Sequence, residues 1–120
     1  MKTPRFLSTG LLAISLLSAG CRSAPNYHYY WGNYEGVVYD MYAKTEKNSP
    51  ELLASRLEED EQKAASANKP LPPGFHAQLG YLYEMSGRTD LARQEYKNEK
   101  LEFPESAVFM DRMLGNKAKK

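Results

Sequence analysis

Apolar residues recur at helical spacing in five blocks of the chain, separated by short polar or proline-rich breaks. In the first block, apolar residues between Tyr34 and Tyr42 fall at i, i+3, i+4, i+7 and i+8, which predicts a helix over residues 33–47. The second block starts with an Asn-Ser pair that can cap a helix, followed by Pro50 in the first turn. Its apolar stripe fades near Asn68, so this pattern predicts a second helix.

A proline-rich stretch, residues 69–74 (KPLPPG), divides the periodic blocks into two groups. Three prolines in four positions exclude a helix and favour an extended segment. We interpret it as a rigid linker between helices rather than as an SH3-type ligand. A third helix is predicted from Phe75 to a stop at Ser86-Gly87, and a fourth, capped by Thr89 or Asp90, closes before Pro104.

After this linker a Leu-Gly pair is followed, at set spacings, by an aromatic residue, a turn Gly, an Ala, a second aromatic residue and a terminating Pro. This pattern resembles one tetratricopeptide repeat, a helical hairpin of 34 residues. His76 and Glu99 depart from that pattern, which usually has Trp and Ala at these positions. The resemblance implies a close helix crossing, because small residues stand where the two helices meet. We therefore expect an all-α fold of antiparallel, tetratricopeptide-like hairpins, with residues 105–114 as a C-terminal capping helix. The residues that match the pattern are Leu79, Gly80, Tyr83, Gly87, Ala92, Tyr96 and Pro104.

The first 20 residues are typical of a secretory signal peptide, with two cations before an apolar stretch (6–19) too short to span a bilayer. The sequence LSAGC ending at Cys21 resembles the bacterial lipobox, which implies that Cys21 is acylated and becomes the mature N-terminus. The alternative is a plain signal peptide followed by a free cysteine. Arg22 follows in place of Asp, which implies sorting to the outer membrane, with the domain facing the periplasm.

These signals predict four parts of the chain: a signal peptide (1–20), a lipidated aromatic-rich tether (21–33), a helical domain (34–114) and a basic flexible tail (115–120). Tyrosines are concentrated at the junction between tether and domain. For Tyr34, Tyr39 and Tyr42 we favour a place in the core. For four residues nearer the anchor we favour an exposed surface that binds a partner, with a bilayer interface or a sugar-stacking groove as alternatives. These four are Tyr27, Tyr29, Tyr30 and Trp31.

The composition and the motifs that are missing from the sequence exclude several classes of function. The 120 residues hold 16 Lys and Arg against 15 Asp and Glu, so the net charge of +1 gives no support for a nucleic-acid partner. One cysteine excludes an intrachain disulfide framework and a multi-cysteine zinc site. No nucleophile, phosphate-loop or metalloprotease motif occurs, so we expect no catalytic residue, no cofactor, no metal site and no enzymatic activity. The run 58–61 is interpreted as a solvated helix face, and His76 as a packing or surface residue.

With its lipobox, its aromatic YWGNYE motif (30–35), its proline-rich break and one hairpin, the chain resembles a small family of bacterial lipoproteins with a domain of unknown function. Members are typically encoded beside a CsgG-like, curli-type secretion lipoprotein and another small lipoprotein. The resemblance implies an accessory of an outer-membrane complex, whose partner is a CsgG-like protein or the companion lipoprotein. Two function classes stay open: a lipid-anchored adaptor or assembly factor, and a binder of peptidoglycan or another glycan. The oligomeric state stays open as well.

Overall fold

The computed structural model describes residues 27–43 and 46–115, and this part of the chain is all-α, as predicted. Residues 1–26, with the signal peptide and Cys21, lie outside the described residues, and so do 44, 45 and 116–120. No strand occurs in the described ranges, and none of their helices is long and apolar enough to cross a bilayer. The helices are α1 (Tyr34–Ala43), α2 (Pro50–Ser66), α3 (Phe75–Met85), α4 (Thr89–Glu102) and α5 (Ala107–Gly115).

Two helix ends differ from the predicted ones. Helix α1 ends at Ala43, and residues 46 and 47 form a turn, so the predicted end at residue 47 is wrong. Helix α4 begins at Thr89 with Arg88 at the N-cap position, because Gly87 (φ 74°) reverses the chain directly before it. The cap that was predicted at Thr89 or Asp90 is therefore wrong.

The start of α2 agrees with the prediction, and the start of α5 lies after a short turn. Ser49 caps α2 as predicted, since its Oγ accepts a hydrogen bond from the Leu52 N–H at 3.2 Å. The C-terminal segment opens with a 3-10 turn, Pro104–Ser106, and the regular helix begins only at Ala107. In this turn the Ser106 hydroxyl donates to the Phe103 carbonyl oxygen at 2.7 Å.

Helices α3 and α4 form an antiparallel hairpin, because residues that rise in number along α3 meet residues that fall in number along α4. The pairs in contact are Gly74 with Glu99, His76 with Glu95, and Gly80 with Ala92. Helices α1 and α2 form a second antiparallel hairpin by the same criterion. Its pairs are Asn33 with Asp60 and Asp40 with Arg56.

The two hairpins stack with their first helices, α1 and α3, side by side. The rings of Tyr34 and Phe75 are 5.6 Å apart, and the Gln78 Nε2 donates to the Met41 Sδ at 3.0 Å. Because both residue numbers rise together, α1 and α3 run parallel. Helix α5 follows α4 as the terminal helix. This arrangement is compatible with a tetratricopeptide-like stack, of which the sequence pattern indicated only the second hairpin.

One apolar core connects all five helices. Helices α3 and α4 cross closely at Gly80, where a Cβ would stand 2.7 Å from the Tyr96 Cε1 and 3.2 Å from the Ala92 carbonyl oxygen. No residue larger than glycine fits that space without displacing the Tyr96 ring. The largest apolar side chains that are fully enclosed are Phe75, Leu53, Leu57, Leu79, Leu82, Tyr96, Met110 and Val37.

Candidate functional site

The segment before α1 lies against the helices rather than apart from them. The Tyr30 N–H donates to the Pro70 carbonyl oxygen at 2.8 Å, which joins this segment to the proline-rich linker. The buried Asp60 carboxylate accepts from the Asn33 N–H at 2.6 Å. Gly32 (φ 44°) has no room for a Cβ, which would meet this carboxylate at 2.5 Å. Residues 27–33, which the sequence assigned to the tether, are thus part of the packed unit.

The four aromatic residues expected to bind a partner do not form one exposed surface. Tyr27 (58% exposed) and Trp31 (36%) face solvent, whereas Tyr29 and Tyr30 are half-buried. Tyr30 packs against the apolar core, and the Tyr29 ring meets the Phe103 ring edge-on at 6.4 Å. The expectation of exposure therefore fails for Tyr29 and Tyr30.

The three tyrosines of α1 were expected to lie in the core, and only one of them does. Tyr34 packs on the core as favoured, but Tyr39 and Tyr42 are 62% and 75% exposed, so their core assignment is wrong. The buried face of this short helix is narrow, because only Val37 and Met41 are fully enclosed. Tyr42 is therefore left at the edge of a groove.

This groove, which we call the first-helix groove, has a volume of about 390 Å³ and opens along α3 between α1 and α5. Its floor is formed by small or amide-bearing side chains of α3, and its edges carry exposed aromatic rings. Tyr81 is 40% exposed and Phe109 is 55% exposed. None of the described residues that line it is charged. The lining residues are Tyr42, Gly74, Ala77, Gln78, Tyr81, Tyr96, Phe109 and Met113.

A second opening, which we call the acidic cleft, has a volume of about 510 Å³ and lies between α2, α4 and the N-terminal segment. Its polar residues include His76, Glu61 and Glu102, and its aromatic edge is formed by Tyr29 and Phe103. The residues of this cleft come from α2, the end of α4, the neighbouring loops and His76 on α3. The two openings share no described lining residue, although α3 and α4 contribute to both.

Residues 28–113 match the protein family described as the domain of unknown function DUF4810. The chain belongs to this family. The DUF4810 match begins at residue 28, so it includes the N-terminal aromatic segment that packs on the helices. No curated protein and no solved structure matches the chain.

The DUF4810 domain encloses a polar cluster at the closed end of the acidic cleft. The buried His76 ring places its Nδ1 2.6 Å from the Glu95 Oε2 and its Nε2 3.6 Å from the Glu102 Oε1. One ligand atom each from Glu61, His76 and Glu95 lie within 4.8 Å of one another. The Nε2 atom is buried and has no hydrogen-bond partner among the described residues.

Electrostatics in this cluster favour positive charge. Burial alone would lower the pKa of His76, but Glu95, then Glu102 and Glu61, raise the pKa above its ordinary value. For Glu61, burial and then the charge of Glu95 raise the pKa of the carboxyl group. Several carboxylates thus surround one buried imidazole beside the cleft.

The acidic run 58–61 is not the solvated face that the sequence indicated. Asp60 is fully buried, and Glu58 accepts hydrogen bonds from the Tyr83 hydroxyl (2.8 Å) and the Arg88 Nη2 (2.9 Å). Only Glu59 is exposed, paired with Lys63 at 2.7 Å. The solvated-face prediction is therefore wrong for the run as a whole. The prediction failed because successive residues of a helix point in different directions. Three of these four side chains point towards other parts of the protein, and only the Glu59 side chain points towards solvent.

Sequence reasoning also missed the role of the two residues that depart from the repeat pattern. The buried Glu99 accepts a hydrogen bond from the Gly74 N–H at 2.7 Å and from the Ala77 N–H at 3.4 Å, so it caps α3 from the neighbouring helix. His76 anchors the cluster at the acidic cleft. The repeat usually has apolar residues at these two positions. A histidine and a glutamate there are the signal in the sequence that could have indicated a buried polar cluster.

Proposed function

We propose that this DUF4810 protein is a lipid-anchored adaptor of the outer membrane, which binds a segment of a partner envelope protein in the first-helix groove. The observation that supports this proposal most directly is the uncharged groove along α3, edged by the exposed rings of Tyr42, Tyr81 and Phe109. Stacked helical hairpins commonly bind segments of other proteins on the face formed by their first helices.

The chemistry of the groove indicates the kind of segment it would accept. Exposed aromatic rings supply much contact area at a low cost in conformational entropy, and their polar tips allow adaptable hydrogen bonds. Within residues 27–43 and 46–115 no charged side chain lines the groove, so a charged ligand would be desolvated there without a partner. An apolar segment of a protein satisfies these conditions.

Anchoring follows from the lipobox-like sequence before Cys21. Acyl chains on Cys21, each stabilising membrane binding by about 0.8 kcal/mol per buried CH₂, would hold the protein permanently when two or more are attached. A chain spans at most about 3.5 Å per residue, so the stretch from Cys21 to Tyr27 reaches no more than about 20 Å. The domain would therefore meet partners at the membrane surface. The family resemblance favours a CsgG-like secretion protein or the companion lipoprotein on the periplasmic side.

A second candidate function is binding of peptidoglycan or another glycan. The exposed rings of Tyr27 and Trp31 favour it, since sugars stack on such aromatic faces. This candidate uses the N-terminal segment and leaves the first-helix groove without a role, so the adaptor is the better-supported function.

Affinity purification of the tagged, lipidated protein from detergent extracts tests the two functions. The adaptor function predicts one stoichiometric membrane-protein partner, lost in Phe109→Ala and retained in Val108→Ala, whose side chain is exposed but does not line the groove. Sedimentation with purified sacculi, together with equal partner recovery from both variants, would contradict it and favour the glycan binder.

A further inference from the structure

We propose that the His76 Nε2, together with carboxylate oxygens of Glu61 and Glu102, binds a divalent transition-metal ion of the Zn²⁺ class at the closed end of the acidic cleft. In this site Glu95 orients the imidazole and does not need to contact the ion. The proposal is independent of the adaptor function, because none of these residues lines the first-helix groove.

The tautomer of His76 supports this assignment. The Nδ1 atom lies 2.6 Å from the Glu95 Oε2, and because a carboxylate accepts hydrogen bonds, the ring proton belongs on Nδ1. When the ring is charged, its Nε2 carries the second proton, and a metal ion that takes the place of this proton binds the Nε2 lone pair. Metal-binding histidines commonly hold their other ring nitrogen against a carboxylate in this way, which fixes the ring and raises its basicity as a ligand.

The Nε2 atom of His76, which lines the acidic cleft, accepts or donates no hydrogen bond among the described residues. His76 is only 3% exposed, and its Nε2 has no hydrogen-bond partner within the described ranges. A buried polar atom of this kind costs free energy unless a ligand or a proton engages it. The cleft reaches His76 and also reaches Glu61 and Glu102, so an ion that enters it meets all three side chains.

The spacing fits ligands of one ion better than hydrogen bonding. The His76 Nε2 and the Glu102 Oε1 are 3.6 Å apart, too far for a good hydrogen bond. Two ligand atoms at about 2.0–2.1 Å from a tetrahedral Zn²⁺ lie about 3.3 Å from each other. One ligand atom each of Glu61, His76 and Glu95 lies within 4.8 Å of the others, which places the Glu61 carboxylate in the same cluster as the imidazole.

The donor set decides the class of ion. One imidazole and two carboxylates suit Zn²⁺ and its first-row neighbours, whereas Mg²⁺ prefers oxygen ligands alone. Three protein ligands leave the fourth tetrahedral position open towards the cleft, where water or a group of another molecule can bind.

Isothermal titration with ZnCl₂ alone tests the site on the full chain carrying Cys21→Ser, so that no free thiol binds the metal. We expect one Zn²⁺ per chain with a dissociation constant in the micromolar range or below, and no binding of Mg²⁺. His76→Gln and Glu102→Gln should each weaken Zn²⁺ binding at least tenfold. Glu59→Gln, an exposed neighbour of the cluster on α2, is the matched control and should bind as the parent does.

Glu102→Gln keeps the test decisive if His76→Gln fails to fold, because the Glu102 side chain is 46% exposed and can be altered without opening the core. Zn²⁺ should also shift the ¹⁵N resonance of the His76 Nε2 and leave Nδ1 protonated. Absence of Zn²⁺ binding below millimolar concentration, or equal binding by the parent and Glu102→Gln, would overturn the proposal. Absence of binding would identify the cluster as an ion pair between His76 and Glu95, and equal binding by the two proteins would place the ion elsewhere.

Discussion

The carboxylate of Asp60 holds the backbone N–H of Asn33 at 2.6 Å and its side-chain Nδ2 at 3.1 Å. One fully buried side chain in the middle of α2 therefore fixes the turn that leads into α1. The same carboxylate occupies the space beside Gly32 that a Cβ would need. Through this contact the N-terminal aromatic segment becomes part of the helical unit.

Asp60→Ala should release that segment and destabilise the protein. Loss of the carboxylate leaves the Asn33 N–H without its partner, at a cost of about 1–3 kcal/mol in the free energy of unfolding. Urea denaturation followed by the fluorescence of Trp31, the only tryptophan, measures both effects, because Trp31 lies two residues from Asn33. Glu59→Ala on the same helix is the control and should change the midpoint little. Equal midpoints for the two variants would show that the Asp60 contact does not hold the segment.

Gly80→Ala should destabilise the hairpin of α3 and α4. The new Cβ would lie 2.7 Å from the Tyr96 Cε1, and overpacking of this kind costs about 1–3 kcal/mol. Gly36→Ala is a matched control, because a Cβ at this exposed position of α1 meets nothing within 4 Å. It should stabilise by about 0.5–1 kcal/mol through helix propensity. Thermal melts that move in the same direction for both variants would argue against the close crossing.

Glu99→Ala should weaken the start of α3. This substitution removes the acceptor of the Gly74 and Ala77 N–H groups, and we expect a loss of about 1–3 kcal/mol in unfolding free energy. Glu99→Gln retains one oxygen and should fall between the parent and the alanine variant. Glu105→Ala, an exposed glutamate in the following turn, should stay within about 0.5 kcal/mol of the parent. Chemical denaturation compares the three; an order other than this would contradict the capping role.

These contacts show why the helices could be predicted and the polar interior could not. Apolar spacing at Val37, Leu53, Leu79 and Ala92 indicates which face of each helix is buried, because that face must meet other apolar residues. Buried polar residues carry no such period. Nothing local in the sequence brings Asp60 to Asn33, since the two meet only after the hairpin of α1 and α2 has formed.

The candidate sites could not be predicted from the sequence for the same reason. Exposure of Tyr39 and Tyr42 depends on the narrow contact of α1 with its neighbours, which helical spacing alone does not reveal. The acidic cleft needs α2, α3 and α4 together before His76 meets Glu61 and Glu95. Contacts of this kind depend on how the hairpins stack. A single sequence predicts where the helices lie along the chain, but not which residues of one helix meet which residues of another.

Cys21→Ser should abolish lipidation. The variant has no thiol to acylate, so the protein should leave the membrane fraction or accumulate as an uncleaved precursor. Metabolic labelling with a fatty-acid analogue, followed by membrane fractionation, measures both outcomes. Unchanged label on the Cys21→Ser protein would contradict the lipobox interpretation.

A partner segment that lies in the first-helix groove would contact the side chains that line it and no others. Site-specific photo-crosslinking in intact cells tests this prediction most directly, with the photoreactive residue at Phe109 or Tyr81 and, as controls, at Val108 or Leu101. All four side chains are exposed, but only the first two line the groove. We predict a single crosslinked envelope protein from Phe109 and Tyr81 and none from the controls. Crosslinks of equal yield from all four positions, or crosslinks only to further copies of this chain, would contradict this prediction.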